Sequence, residues 1–141
     1  MRWPITVAAG FVTLTALGAH TRTGQSVPAR VARTVTVNVT CPGPNNQRDA
    51  VQPWEAQVQV GDSILWNLVE PILSDTIMIS LKDSSRTWPF ASPNRPRGRR
   101  SAGGQNALIV GRYPYNITLR CPVQGGPPAF IVIDPDIIIR E

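Results

Sequence analysis

Two cysteines, Cys41 and Cys121, a single histidine, His20, and four closely spaced arginines are the residues that could do chemistry in this chain. The arginines are Arg95, Arg97, Arg99 and Arg100. A thiolate needs a base, a cation or a metal beside it before it acts as nucleophile or ligand. His20 lies in a leading segment expected to be removed, which leaves neither cysteine a histidine partner. A nucleophilic serine would need a lysine base, Lys82 is the only lysine, and no G-x-S-x-G context surrounds any serine. Asp134 and Asp136 flank Pro135, but a hard cation wants about six to eight oxygens, and the turn that Pro135 imposes accounts for both aspartates. The expectation is a protein with no catalytic residue, no metal ligand and no cofactor.

Binding chemistry is better represented. Four arginines within Arg95–Arg100 form a candidate anion-binding loop, because guanidinium forks match oxyanions through two parallel hydrogen bonds. The bland alternative is a solvated, disordered loop tip. Trp54, which follows Pro53, is the candidate exposed aromatic for a sugar or peptide, whereas Trp66, Trp88 and Phe90 read as core. The formal charge of +5 falls further once the leader's arginines are gone. No aromatic interleaves with the arginines, so nucleic acid is not expected as a partner.

The elements that must position these residues are strands. Residues 1–29 stand apart as a signal peptide plus short polar linker. Arg2 precedes the uncharged, mostly apolar run Trp3–Ala19, and small residues near 19 and 29 offer cleavage sites. The alternative is a retained anchor, although the run is shorter than the roughly twenty apolar residues a spanning helix needs. Secretion or a periplasmic address follows, with membrane contact only through an uncleaved leader. In such a compartment an even cysteine count favours a disulfide; two buried free thiols or a reactive cysteine are the alternatives.

From 30 to 141 the chain reads as one domain. Val35, Val37, Val39 and Cys41 alternate with Thr34, Thr36, Asn38 and Thr40, the period of a half-buried strand. Further strands are expected over 56–60, 63–68, 76–81, 106–110, 113–121, 129–133 and 137–139. Gly61-Asp62 marks a turn, residues 82–105 a long irregular stretch, and Asp134-Pro135-Asp136 an interruption. About seven short strands without a helical period indicate an all-β, antiparallel sandwich. The alternation puts Cys41 and Cys121 on inward faces, which strengthens the disulfide expectation.

Two segments resemble a known family. Val58-Gln59-Val60-Gly61-Asp62-Ser63-Ile64-Leu65-Trp66 is similar to the V-x-x-G-D-x-I/V-x-W/F strand of cupredoxins, and Gly111-Arg112-Tyr113-Pro114-Tyr115 to their G-x-Y-x-Y/F strand. The resemblance spans about residues 34–140 and implies a Greek-key β-sandwich. In its copper-binding members it implies electron transfer through two histidines, a cysteine and an axial methionine. Here the first histidine position reads Ser74-Asp75-Thr76, and Ile117 stands where the cysteine belongs. Cys121 is followed by Pro122-Val123-Gln124-Gly125. The ending Ile133–Ile139 resembles small exported bacterial members that lack the type 1 copper ligands.

The expected role is therefore a metal-free binding or structural module working through a protein partner. The alternatives are an envelope sugar- or anion-binding domain using Trp54 and the arginine loop, or a redox accessory protein using the two cysteines.

Overall fold

The computed structural model describes residues 29–43, 46–70 and 74–141, so the expected leader up to residue 28, with the cleavage site near 19, lies outside the described residues. Ten strands form. They are β1 (Thr34–Val39), β2 (Val51–Gln52), β3 (Glu55–Gln59), β4 (Ser63–Leu68), β5 (Ile77–Leu81), β6 (Arg97–Gly98), β7 (Ser101–Gly104), β8 (Gly111–Val123), β9 (Gly126–Ile133) and β10 (Asp136–Arg140). One sheet runs β2-β1-β4-β7. The other runs β3-β10-β8-β5-β6, with β9 also paired to β8. Among the described residues no helix is long and apolar enough to cross a membrane.

The alternation read from the sequence is what closes these sheets into a sandwich. Val37 and Val39 of β1, Ile64 and Trp66 of β4, and Ile77 and Ile79 of β5 are buried. So are Tyr113, Tyr115, Ile117, Leu119 and Cys121 of β8, every second residue, while Pro114 and Arg120 between them are exposed. Period-two burial leaves no choice of face: a one-residue slip would turn the whole set into water. Trp88, Pro89 and Phe90 are buried as expected. Phe90 meets Trp66 edge-on at 6.4 Å between ring centroids, which closes one side of the core.

The sandwich is as expected, but its pairing and some of its strands differ. Each sheet contains one parallel pair, β1 with β4 and β3 with β10. The physical cause is chain path. The chain leaves the first sheet after β2, adds β3 to the second, and returns to lay β4 beside β1 in the same direction. The strand expected over 106–110 does not form. Asn106 adopts φ 49°, a left-handed conformation that ends extended structure. The strand instead covers Ser101–Gly104, within the stretch read as irregular, and pairs antiparallel with β4. Its glycines look like loop residues in sequence. A Cβ on Gly104 would stand 2.9 Å from Ile64 Cγ2 and 3.2 Å from the Phe90 ring, so close packing requires that glycine.

Asp134-Pro135-Asp136 likewise does not turn the chain. From Ala129 onward β9 and β10 face β8 in one register, Ile117 opposite Ile133 and Pro114 opposite Asp136. The Tyr115 N–H donates to Pro135 O at 3.0 Å between them. Pro135 lacks an N–H, yet its carbonyl keeps the ladder intact. The flanking aspartates pair with cations, Asp134 with Lys82 and Asp136 with Arg112.

Candidate functional site: an arginine-flanked apolar face

The arginine stretch is ordered, not a loose tip, because both sheets hold it. Pro96 O accepts from Ile79 N at 2.9 Å, and Arg97–Gly98 pairs with Ile77 and Met78 as β6. Arg100 O accepts from Leu68 N of the other sheet at 2.8 Å. The arginine side chains part: Arg97 and Arg99 line one hollow on the outer face, whereas Arg95 lines a separate small hollow with Ser80, Ser84 and Arg86. Arg100 is exposed, and its backbone carbonyl is what anchors the segment.

Register places the face's residues in rows. One row crosses the sheet as Arg97, Met78, Thr118 and Val132. The next contains Phe130, Arg120 and Thr76. The apolar members are unusually open: Phe130 is 74% exposed, Val132 51% and Met78 36%. A hollow of about 300 Å³ lies among Met78, Arg97, Gly98, Arg99, Thr118 and Phe130. A second, of about 250 Å³, adjoins it at Asp75, Thr76, Arg99 and Arg120.

The electrostatics of the face are one-sided. Arg120 pairs with Asp75 at 3.1 Å, both partly exposed. Among the described residues no ion pair or side-chain hydrogen bond engages Arg95, Arg97, Arg99 or Arg100. Uncompensated guanidinium groups beside exposed apolar side chains can accept a ligand carrying an anionic group next to an apolar one.

A larger hollow, about 370 Å³, lies elsewhere, among Arg30, Arg33, Val35, Gln57, Asp62 and Arg140. Its one carboxylate, Asp62, is already paired with Arg30. Asp62 is buried, and Arg30 Nη2 lies 2.7 Å from both of its carboxylate oxygens. Asp62 also accepts from the backbone N–H groups of Arg33 and Gln59, at 2.8 and 3.1 Å. These contacts lock the β3–β4 turn, and the hollow has none of the exposed large apolar side chains that stand beside Arg97 and Arg99.

The remaining sequence candidates have definite places. Cys41 and Cys121 form a disulfide and both are buried, so neither sulfur is available as thiolate. Trp54 is half-buried against the core, with the Arg48 guanidinium 5.8 Å from its ring centroid, and presents no open platform. Among the described residues the exposed aromatic is Phe130. The sequence marks 129–133 as a strand, but its unbroken apolar run Ala129–Ile133 does not show which side faces water. The Pro127-Pro128 pair before it was the available signal, since consecutive prolines belong on sheet edges.

The positions where the resemblance would place copper ligands serve other ends. Ile117 is fully buried in the core. The Ser74 hydroxyl lies 2.6 Å from Thr76 O and 2.8 Å from Arg120 O. Among the described residues no three His, Cys, Asp or Glu side chains cluster as a metal site would need.

No family model matches the chain, and no curated protein matches it. Among solved structures it is similar to auracyanin B, at 12% sequence identity and a TM-score of 0.39. The alignment covers 82% of this chain and 94% of that one. At that identity and score the likeness assigns no function.

Proposed function

We propose that this protein is an exported, metal-free, cupredoxin-like binding module. Its outer face on the second sheet docks a protein partner that presents acidic groups beside apolar side chains. The single observation carrying this reading is the pairing of unneutralised Arg97 and Arg99 with exposed Met78 and Phe130 around one hollow. A solvated basic loop would not need two sheets to hold it, nor a bare phenylalanine beside it.

Export is supported by the signal-like sequence of residues 3–19 and by the Cys41–Cys121 disulfide, which persists in oxidising compartments. The metal-free reading is supported by the sulfur–sulfur bond at Cys121 and by Ile117 in the core. The role is one of binding, not catalysis.

A synthetic aspartate–leucine peptide tests the reading by isothermal titration at low and high salt. Arg97→Ala combined with Arg99→Ala weakens binding by about tenfold or more at low salt, and high salt removes the difference. Arg33→Ala, on the far hollow, leaves binding unchanged. Equal affinity for wild type and the double variant overturns the proposal.

A further inference from the structure

The strand β9 has one side with no partner. Its residues pair with β8, but among the described residues no strand joins its other edge. The direction of its backbone groups follows from the neighbouring hydrogen bonds. Arg120 N donates to Thr76 O and Arg120 O accepts from Asp75 N, so the polar groups of Arg120 point toward β5 and away from β9. Arg120 and Phe130 are therefore a non-hydrogen-bonded pair, and antiparallel alternation makes Thr118 and Val132 another. The N–H and C=O groups of Phe130 and Val132 consequently point outward from the sheet.

A second contact checks this assignment. Asp136 continues β9 in the same register and shares the parity of Phe130 and Val132, and its N–H donates to Trp54 O on the β3 side at 3.2 Å. Asp136 thus finds a neighbour on that side. Phe130 and Val132, further along the same edge, have none.

Native sheets blunt open edges with prolines, charges or short strands. Pro127 and Pro128 do so for the first part of β9, since neither offers an N–H. The part from Ala129 to Ile133 carries no charge and no proline, and two of its side chains stand open on the arginine-flanked face. The unprotected stretch coincides with the face that binds acidic, apolar chemistry.

We infer that β9 is a strand-addition site, where an extended segment of the partner protein pairs with Phe130 and Val132 through main-chain hydrogen bonds. This rests on the docking face described above. The partner's acidic groups lie over Arg97 and Arg99, three strand spacings or about 14 Å from β9. An acidic partner fits better than a second copy, because another copy would bring the same unpaired arginines to the interface. Main-chain pairing supplies affinity and the face supplies selectivity, the division that strand-addition complexes use.

The probe is a peptide in which a valine–threonine stretch is joined through a glycine turn to the aspartate–leucine stretch. It binds about tenfold more tightly than the aspartate–leucine peptide alone, and hydrogen exchange shows protection of the Phe130 and Val132 amides. Val132→Pro removes an outward N–H that β8 does not use, so the fold persists while the added affinity is lost. Val132→Thr keeps the main chain and retains it. The inference is overturned if the longer peptide binds no better, or if Val132→Pro binds it as wild type does. It is overturned equally if those amides become protected by self-association without peptide. Loss of binding in the Arg97/Arg99 variant with Val132→Pro silent upholds the face and removes only the strand addition.

Discussion

Trp66 Nε1 donates a 3.0 Å hydrogen bond to the Tyr115 phenol, joining β4 of one sheet to β8 of the other inside the core. The rings lie 5.6 Å apart between centroids. Burial holds the Tyr115 phenol well above its usual range, so it faces Trp66 as a neutral hydroxyl. Tyr115→Phe keeps the ring but leaves a buried indole N–H unpaired, which costs about 1–3 kcal/mol. The urea midpoint falls accordingly, with an unchanged slope.

The Cys41–Cys121 bond spans a sequence separation of 80 and ties the end of β1 to β8 across the sandwich. Closing such a loop in the unfolded chain is worth roughly 4 kcal/mol in the chain-entropy model. Cys41→Ala combined with Cys121→Ala lowers stability by up to that amount in denaturant titration. Native protein reacts with no thiol reagent, and copper(II) develops no intense thiolate band, because both sulfurs are already bonded to each other.

Asp62 makes stability depend on acid. Its burial disfavours the carboxylate, but Arg30 and the N–H groups of Arg33 and Gln59 outweigh that and lower its pKa below the usual value. A depressed pKa contributes stability that is fully present above the unfolded value, about 3.9, and is lost as pH falls through the folded value. Asp62→Asn is therefore less stable than wild type at neutral pH, and the gap closes as pH drops below about 3.9. Thermal melts of both proteins across pH 2–7 check this.

Gly98 sets the arginine segment. A Cβ there would stand 1.9 Å from the Ser101 carbonyl oxygen, a backbone atom that cannot step aside. Gly98→Ala must shift β6 or β7, costing about 1–3 kcal/mol in stability. It also weakens the aspartate–leucine peptide by displacing Arg97 and Arg99. Unchanged affinity in titration would show that the two arginines need no fixed geometry.

Phe130→Ser separates surface from core. With 74% of the residue exposed, stability changes by less than about 0.5 kcal/mol, while peptide affinity falls. Parallel melts and titrations of the variant measure both.

Local pattern was enough to read most of the sandwich. The alternation in β1, β4, β5 and β8, the Gly61 turn at φ 88° and the inward cysteines all follow from neighbours in the chain, whose side chains must take opposite faces. The candidate site was legible only as composition. Arg97 and Arg99 could be named, but not their shared hollow, because β6 forms only by pairing with β5, whose Met78 lines that hollow with them. β7 escaped because its Gly104 is required by Ile64 and Phe90, which are remote in sequence.

By itself, then, the sequence determined an all-β domain with two inward cysteines and a cluster of arginines, since those properties reside in residue type and period. Only the tertiary structure decided that Phe130, not Trp54, is the open aromatic, and that β9 has an unpaired edge. Exposure and edge position depend on which strands arrive alongside. Long-range pairing settles that, and it has no signature within a single strand.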